Sequence, residues 1–272
     1  MPSRRIMAIW LARLPVDRWR LAEGCQRGDG ADAAPLVLIA ETAHGPRIEA
    51  ANDPGHDAGA RPGMLLADAR ALCPALATVP ADPAGDLAFL ERLALWAQRW
   101  GPWSALDPPD GLLVDVTGVA HLFGGEAALL NDVAGQLDRR GLMARAAIAP
   151  TAGAAWALAH YGERQAILDP DAVAGPDADS MLGALPVAAL RLDPATALVL
   201  RRLGLKRIAD LDGVARPALA RRFRSRHAPA ANPLIRLDQL RGRVPEPLLP
   251  VLGRPMPMVQ RRLVEPIRHR SL

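Results

Sequence analysis

Short apolar runs alternate with amphipathic stretches through the first 160 residues of the chain. The runs are bounded by Pro, Gly and polar residues, which predicts strands at Ile6–Trp10, Leu36–Ala40, Leu112–Val116 and Ala144–Ala149. Apolar residues three or four apart predict helices at Met64–Leu72, Asp86–Trp100, Gly125–Arg140 and Ala152–His160. This order of elements indicates an α+β body whose sheet is backed by helices.

Beyond about residue 170 the pattern changes to short helical stretches separated by Asp, Gly and Pro. We predict them at Pro176–Leu190, Pro194–Leu203, Ile208–Leu211 and Pro217–Phe223. Residues 228–257 are proline-rich, which is typical of a segment that connects domains. Met258–Ile267 is the one later stretch that could begin a strand.

The charge is distributed unevenly between the two parts of the chain. Residues 1–180 contain 15 arginines and 23 acidic residues, a net charge of −8, whereas residues 181–272 have a net charge of +12. Lys206 is the only lysine, so nearly all of the positive charge is arginine. A basic segment attached to an acidic body predicts a module that binds a polyanion. A solvated basic surface without a partner is the alternative.

Composition excludes several classes of protein. The chain has 272 residues, of which 50% are apolar and 23% charged, and this is typical of a folded protein with a sizeable core. No apolar run approaches the length of a membrane span, and the N-terminus does not resemble a signal peptide. Cys25 and Cys73 form neither a disulfide framework nor a zinc spacing. We therefore expect a protein of the reducing cytoplasm.

Histidines and tryptophans do not indicate a cofactor site. The six histidines share no metal-ligand spacing, so we assign them to no metal: they are His44, His56, His121, His160, His227 and His269. Trp96, Trp100 and Trp103 lie near helical spacing and are predicted to pack in the core or between domains. The sequence implies no cofactor.

Three aspartates are the acidic group that we test as a candidate metal site: Asp107, Asp110 and Asp115. Asp110 and Asp115 flank a predicted strand, and we expect them on opposite faces, where they cannot share one metal ion without a bulge. Because Asp110 lies in a Pro-Pro-Asp-Gly segment, spacing alone favours an ordinary turn residue there.

A glycine between two basic helical stretches suggests a phosphate-binding hairpin. Gly204 lies in Leu-Gly-Leu-Lys-Arg, and a hairpin there would aim backbone N–H groups at a phosphate. The neutralising charge would come from two clusters: Arg201, Arg202, Lys206 and Arg207, and Arg221, Arg222, Arg224 and Arg226. Such a helix-hairpin-helix holds a nucleic-acid backbone without reading its sequence. The alternative is a glycine C-cap on a basic helix.

Several segments, taken in order, resemble the Y-family DNA polymerases, and more narrowly the non-catalytic ImuB-type branch of that family. GLLVDVTGVAHLFGG (111–125) and AIAPTAGAAWALA (147–159) are similar to the palm, and ARPGMLLADARALCP (60–74) to the fingers. LPVAALRL (185–192) and LIRLDQLRGRVPEPLLP (234–250) are similar to the thumb and its exit. The resemblance covers nearly the whole chain.

The resemblance implies three domains and the start of a fourth segment. It places a ferredoxin-like palm over residues 1–27 and 80–170, fingers over 28–79, and a helix-hairpin-helix thumb over 175–230. Residues 231–272 would be a proline-rich linker and the beginning of a little-finger-like segment. The chain ends at Leu272, where a little finger would begin, so the resemblance indicates truncation before that domain.

The metal-binding positions of the resembled family are largely replaced in this sequence. Y-family polymerases hold two Mg²⁺ ions with three carboxylates, and the resemblance places Trp10 at one of them. Ala12 falls at a nearby acidic position, Asp110 is kept as a vestigial carboxylate, and Gly111 replaces the glutamate. One carboxylate carries too little negative charge for a Mg²⁺ pair.

The positions that grip the nucleotide also differ from the family. Asp53 and His56 stand where the family has a tyrosine and an arginine on the triphosphate. Ala152 and Trp156 stand where it has lysines. An acid at the triphosphate position would repel phosphate. The resemblance thus implies a degraded nucleotide site and a catalytically inactive polymerase homologue.

The implied role is a DNA-binding scaffold in damage-induced, error-prone translesion synthesis. The implied partners are damaged or primer-template DNA, held by the thumb, an error-prone replicative-type polymerase, a RecA-like accessory protein and the sliding clamp, although the clamp-binding peptide is absent here. One alternative is an active nucleotidyltransferase with a displaced metal site at Asp107, Asp110 and Asp115. Another is a thumb that docks protein in place of DNA.

Overall fold

Two sheets organise the computed structural model, which describes residues 4–24, 33–170 and 181–252. The large sheet has the strand order β5-β6-β1-β7-β8, and the small sheet has the order β3-β2-β4. The strands are β1 (Ile6–Trp10), β2 (Leu36–Ala40), β3 (Arg47–Ala51), β4 (Ala77–Pro80), β5 (Trp103–Asp107), β6 (Gly111–Asp115), β7 (Arg145–Ala149) and β8 (Gln165–Ile167). This is the α+β class that the sequence predicts.

Helices surround both sheets. They are α1 (Leu14–Ala22), α2 (Asp53–Asp57), α3 (Leu66–Leu72), α4 (Pro83–Ala97), α5 (Glu126–Asp138), α6 (Ala152–Tyr161), α7 (Pro194–Arg202), α8 (Arg216–Arg222) and α9 (Pro233–Leu240). Short 3₁₀ turns lie at Ala120–Phe123, Val187–Leu190, Ala209–Leu211 and Pro229–Ala231. Among the described ranges, no helix is long and apolar enough to cross a bilayer.

The large sheet is covered on both faces because β1 is apolar throughout and β6 and β7 each carry a charged residue only at one end. β1 pairs antiparallel with β6 on one side and with β7 on the other. Met7, Ile9 and Val114 pack with α4 and α5 on one face. Ile6, Ala8 and Leu113 pack on the other face with α6 and with residues 182–240. The sheet therefore separates two cores.

The small sheet has a core of its own. β2 pairs antiparallel with β3 and parallel with β4. Val37, Ile48, Ala60, Leu66 and Leu76 form this core together with Ala69. Residues 33–80 thus form a compact unit beside the large sheet, over much of the segment that the sequence predicts as fingers.

The proline-rich segment after residue 228 is packed against the body, so its prediction as a linker is wrong for residues 233–251. Asn232 caps α9 and Pro233 begins it, while Leu237 and Leu240 are buried against α6. Gly153 allows this close approach, since a Cβ there would lie 3.2 Å from the Cα of Leu240. Prolines at helix starts and before an edge strand look like a linker in sequence.

The chain then returns to the edge of the large sheet. Ala105 of β5 forms a bridge with Pro250, and the Val251 N–H donates to the Ser104 carbonyl at 2.8 Å. Residues 258–267, predicted as a possible strand, lie outside the described residues, as does Cys25.

Three other predictions need correction. Of the helix predicted over Pro176–Leu190, the described part contains one helical residue, Met181, and the 3₁₀ turn Val187–Leu190, and the residues between them are not helical. Ile208–Leu211 is likewise a 3₁₀ turn, over Ala209–Leu211. Trp103 begins strand β5 and is 55% exposed, whereas Trp100 is buried at the end of the preceding turn. The helical spacing of the tryptophans is broken because α4 ends at Ala97.

Candidate functional site at one end of the large sheet

Four residues lie in a row across four neighbouring strands at one end of the large sheet. Gly111 is directly opposite Asp107 on one side and Trp10 on the other, and Trp10 is opposite Arg145. Alternation along the strands places all four on the face that packs against α6 and residues 182–240. This row contains the metal positions that the sequence resemblance assigns to Trp10 and Gly111.

An aromatic stack occupies the space above the row. The Trp10 ring lies 4.5 Å from the His160 ring, and His160 lies 3.8 Å from Trp156. Trp156 and His160 are neighbours on α6 because they are four residues apart. The guanidinium of Arg145 lies over Trp10 at 5.8 Å, and that of Arg191 lies over Trp156 at 5.5 Å. The stack is therefore closed by a cation at each end.

His160 is a neutral member of this stack. Burial lowers its pKa to about 4, and the nearby charges of Arg191 and Arg145 act in the same direction. Its Nδ1 donates to the Trp156 carbonyl at 2.9 Å, which opposes the shift. The ring is therefore an uncharged packing element at neutral pH.

Asp110 is the one metal-binding carboxylate that the resemblance keeps. It accepts a hydrogen bond from Trp10, which stands in place of a second such carboxylate. Trp10 Nε1 donates to Asp110 Oδ2 at 2.9 Å. Burial raises the pKa of Asp110, and the hydrogen bond from Trp10 opposes that change. Asp110 lies in the turn before β6, as the turn interpretation of Pro-Pro-Asp-Gly predicts. One of its two carboxylate oxygens is thus occupied by the indole N–H.

Asp107 is committed to an ion pair with the helical part of the chain. Arg191 contacts Asp107 through one nitrogen and Glu246 through another, the latter at 2.8 Å. Arg236 also contacts Glu246 at 2.8 Å. Burial raises the pKa of Asp107, with Arg191 opposing the shift. Two acids and two arginines thus form one partly buried network.

Arg191 is the residue of this site that sequence reasoning missed. It has φ of +56°, the left-handed region that non-glycine residues rarely adopt. A conformation of this kind costs of the order of 1 kcal/mol or more and is retained when its contacts compensate. The available signal was a lone arginine that ends the apolar run LPVAAL.

The three aspartates do not form one group. Asp115 lies at the opposite end of β6 from Asp110, where it pairs with Arg4 at 3.5 Å and accepts a hydrogen bond from the Thr117 N–H. Strand rise places Asp110 and Asp115, which are five residues apart, about 16 Å from each other. The displaced metal site that the active-enzyme alternative needs is therefore not formed by these residues. In the described ranges no three His, Cys, Asp or Glu side chains are grouped to hold a metal ion.

The donor set does not fit the Mg²⁺ pair that the Y-family fold would imply. At the row, Trp10 presents an indole and Gly111 presents no side chain. A Cβ on Gly111 would lie 2.9 Å from the Asp107 carbonyl oxygen and 3.0 Å from Asp107 Oδ2. A glutamate at position 111 would thus require Asp107 to move. Hard divalent cations need several oxygen ligands, which this end of the sheet does not offer.

A cavity of about 690 Å³ lies between this end of the sheet and the small sheet. Trp10 and Asp110 line one side of it, and Asp53 and His56 of α2 line the other. Asp53 pairs with Arg13 at 2.5 Å. Among the described residues its lining includes four carboxylates but one arginine: Glu49, Asp53, Asp86, Asp110 and Arg13. The cavity is therefore electrostatically unsuited to a triphosphate.

Two of the positions predicted for a degraded nucleotide site lie elsewhere. Ala152 is buried at the start of α6, and Trp156 belongs to the aromatic stack. Neither contributes to the lining of the cavity. The structure thus brings Asp53, His56 and Asp110 together but not the two α6 positions.

The basic residues predicted to bind DNA lie on the helical segment after residue 181. Seven of them are exposed: Arg201, Arg202, Lys206, Arg207, Arg221, Arg222 and Arg224. Among the described residues, none of these side chains forms an ion pair. Arg226 differs, because it donates to Thr196 Oγ1 at 2.8 Å and lies over Phe223. Its contacts are internal to the segment.

Gly204 is a helix C-cap, and the amides after it already have an acceptor. Gly204 has φ of +84°, and the Leu205 N–H returns to the Leu200 carbonyl, which closes α7. The N–H groups of Lys206 and Arg207 donate to Asp210 Oδ2 at 2.7 and 2.8 Å, and these bonds lower the pKa of Asp210. The hairpin amides are thus internally satisfied, as the C-cap alternative predicts, and the following turn is 3₁₀.

Comparisons with known proteins agree on the relationship. Residues 31–160 match the family model described as IMS: impB/mucB/samB family. Protein ImuB of Caulobacter vibrioides, in strains NA1000 / CB15N and ATCC 19089 / CIP 103742 / CB 15, is 46% identical over 190 residues. That match covers 70% of this chain and 39% of the relative, so the chain spans well under half of the curated proteins it matches.

Solved structures of Y-family enzymes share the fold. DinB from Sulfolobus solfataricus superposes with a TM-score of 0.69 at 16% identity, over 90% of this chain and 69% of that one. The insertion ternary complex of Dbh DNA polymerase gives a TM-score of 0.70 at 16% identity, with the same coverage. The likeness establishes the architecture.

Proposed function

Because residues 31–160 carry an impB/mucB/samB-family domain on the fold of the Y-family DNA polymerases, we propose that this chain is a DNA-binding polymerase homologue without polymerase activity. In this proposal the large sheet is the palm (1–27 and 80–170), the small sheet forms the fingers (28–79), and the helical segment is the thumb (175–230). The proposed role is scaffolding of error-prone translesion synthesis after DNA damage, in the cytoplasm.

The observation that carries the proposal is that the row of Asp107, Gly111, Trp10 and Arg145 at the end of the large sheet does not form a metal site. Trp10 lies where the resemblance expects a metal-binding carboxylate, and its indole is hydrogen-bonded to the remaining aspartate. Asp107 is paired with Arg191, and Gly111 has no room for a side chain unless Asp107 moves. Each position is satisfied by packing or by pairing with protein groups, and the three positions do not form a set of ligands for a metal ion.

The cavity beside the row supports the same proposal. A polymerase must neutralise the triphosphate charge of its incoming nucleotide. Here the lining carries Asp110 beside the row and Asp53 on the opposite side, and the one lining arginine among the described residues, Arg13, is paired with Asp53. We infer that a nucleotide triphosphate binds this cavity poorly.

Primer extension tests the loss of activity. We expect purified protein to add no nucleotide to a primed template with Mg²⁺ or Mn²⁺, while an active Y-family polymerase on the same substrate does so. Trp10→Asp alone should not create activity, since Gly111 and the Asp107–Arg191 pair remain. Template-dependent incorporation by the unaltered chain would overturn the proposal.

DNA is the proposed ligand of the exposed arginines on the helical segment. Four or five phosphate contacts predict a slope near about −4 for log affinity against log salt. Arg201, Arg202 and Arg207 changed together to Glu should abolish binding and flatten the slope by about 3. The matched control changes three exposed arginines outside the segment to Glu: Arg70, Arg139 and Arg164. Equal affinity of the two triple variants would remove DNA from the proposal and favour a thumb that docks protein.

Protein partners follow only from the family resemblance. We propose an error-prone replicative-type polymerase and a RecA-like accessory protein as partners, with the clamp contact supplied outside this chain. The related Protein ImuB is more than twice as long as the matched region, which leaves room there for such contacts.

A further inference from the structure

A shallow apolar groove of about 280 Å³ lies on the face of the large sheet opposite the aromatic stack. Its floor is formed by α1, α4 and the loop after α5, through Leu21, Phe89, Leu93, Trp96 and Leu142. Its volume is at the lower limit of the ~300–1,000 Å³ typical of small-molecule pockets. The groove therefore suits protruding side chains better than a nucleotide.

The apolar floor comes from a second stripe on α4. Leu90, Ala94 and Ala97 face the core and are buried. Phe89, Leu93 and Trp96 follow the spacing i, i+4 and i+7, so they form a neighbouring stripe along the same helix. Phe89 and Trp96 are only half-buried, and Leu21 beside them is 40% exposed. Within the described ranges, Leu93 at the centre of the stripe is buried, whereas the Phe89 and Trp96 rings beside it stay partly exposed.

Three arginines surround the groove without neutralising partners. The Arg92 guanidinium lies 5.6 Å from the Phe89 ring centre, while those of Arg99 and Arg140 lie 5.2 and 4.1 Å from the Trp96 ring centre. Among residues 4–24, 33–170 and 181–252, none of the three forms an ion pair. The groove thus combines an apolar floor with an unpaired cationic rim.

We propose that this groove, Leu21–Phe89–Trp96 with the rim Arg92, Arg99 and Arg140, docks an acidic segment of another protein that carries aliphatic or aromatic residues. The apolar side chains would enter the groove, and flanking carboxylates would meet the arginines. Aromatic and arginine residues are also those most often found at the energetic centres of interfaces.

Charge complementarity favours an acidic protein segment over nucleic acid as the occupant. Base stacking needs free aromatic faces, whereas guanidiniums lie over Phe89 and Trp96 here. The arginines proposed for DNA are carried by the segment that packs on the opposite face of the sheet. A strand held there would not extend into this groove.

Fluorescence anisotropy with the full chain tests the proposal. The probe is a fluorescein-labelled acidic peptide, EDLEEFLDE, and it is compared with KKLKKFLKK and with EDSEESSDE, which lacks the apolar residues. We expect the first peptide to bind at least about tenfold more tightly than either control. The double variant Arg92→Glu with Arg140→Glu should weaken its binding at least about tenfold.

Arg139→Glu is the matched control, because Arg139 is exposed beside Arg140 but does not line the groove. It should change the affinity by less than about twofold, with thermal unfolding of all variants unchanged. Lack of binding, equal binding of the three peptides, or equal loss in Arg139→Glu would overturn the proposal. If single-stranded DNA displaces the peptide from the unaltered chain, and the double variant binds that DNA more weakly, the groove would be assigned to nucleic acid.

The groove and the proposed DNA surface are independent in this design. The double variant leaves Arg201, Arg202 and Arg207 unchanged, so its DNA affinity should stay within about twofold. Failure of one proposal therefore leaves the other standing.

Discussion

The end of the large sheet and the exposed face of the helical segment use arginine in opposite ways. At the sheet, Arg191 is held between Asp107 and Glu246 and lies over Trp156. On the helical segment, Arg201 and Arg202 extend into solvent, and no described carboxylate pairs with them. The first charge is used within the fold, whereas the second is exposed to solvent.

The structure distinguishes arginines that are paired within the fold from arginines that are exposed, which the sequence alone does not. Arg191, Arg201 and Arg202 belong to the same basic segment and differ in sequence only in their neighbours. A buried ion-paired arginine leaves uncompensated acids when it is removed. An exposed one without a partner contributes little to folding and much to a field that attracts polyanions.

Arg191→Ala compared with Arg201→Ala gives the largest expected contrast. The first change leaves Asp107 partly buried without its cation and leaves Glu246 with Arg236 alone, so the free energy of unfolding should fall by about 3 kcal/mol. The second should change it by less than about 0.5 kcal/mol. Urea unfolding of both variants measures the difference. Similar stabilities would show that the two arginines are not used differently.

The neutral His160 predicts how the stability of the stack at the end of the large sheet depends on pH. The pKa of His160 is about 4 in the fold, below its ordinary value near 6.5, so the unfolded chain binds the extra proton first. Its contribution to stability is complete above pH 6.5 and declines as the pH falls toward 4. We expect a loss of about 1–2 kcal/mol over that range, discounted for partial solvent exposure.

His160→Gln should remove that part of the pH dependence. The raised pKa values of Asp107 and Asp110 act in the opposite direction, because the folded state then binds protons more readily as the pH falls. The measurement is therefore the difference in thermal stability between the two proteins at pH 7 and at pH 4.5. A difference that does not change with pH would contradict the burial of a neutral ring.

Asp210→Ala tests the helical side with the smallest expected effect. Loss of the acceptor for the Lys206 and Arg207 amides should lower the midpoint of thermal unfolding slightly. The same change removes a negative charge from the arginine surface, so DNA affinity should rise by about two- to fivefold at low salt. Asp210→Asn keeps an acceptor and should restore most of the stability while it retains the gain in affinity.

The sequence predicted the central strands and the longer helices well, because their apolar periodicity is strong. β1 and β2 have the predicted bounds, and the other predicted strands and main helices of the body differ by one to three residues. Helix α1 was missed because it buries Asp17 and Arg20, which hide its apolar face. Strands β3, β5 and β8 are short and rich in small or polar residues, so they carry little alternation.

The candidate site was only partly predictable. The places of Trp10, Asp110 and Gly111 came from the resemblance, and the structure brings them together at one end of the sheet. The His160 stack and the Arg191 network join segments far apart in the chain, and no local pattern encodes such contacts. The amides after Gly204 were predicted to face a phosphate, but they donate to Asp210. This acceptor lies beyond the hairpin, so the hairpin sequence alone does not reveal it.

The return of Pro250 and Val251 to β5 has a consequence for self-association. An open edge strand presents free N–H and C=O groups on which a second molecule can add a strand. Here Pro250, which has no N–H, forms a bridge with Ala105, and the Val251 N–H donates a hydrogen bond to the Ser104 carbonyl. The opposite edge, β8, has three residues. Among the described residues, both margins of the large sheet are thus poor templates for strand addition by a second molecule.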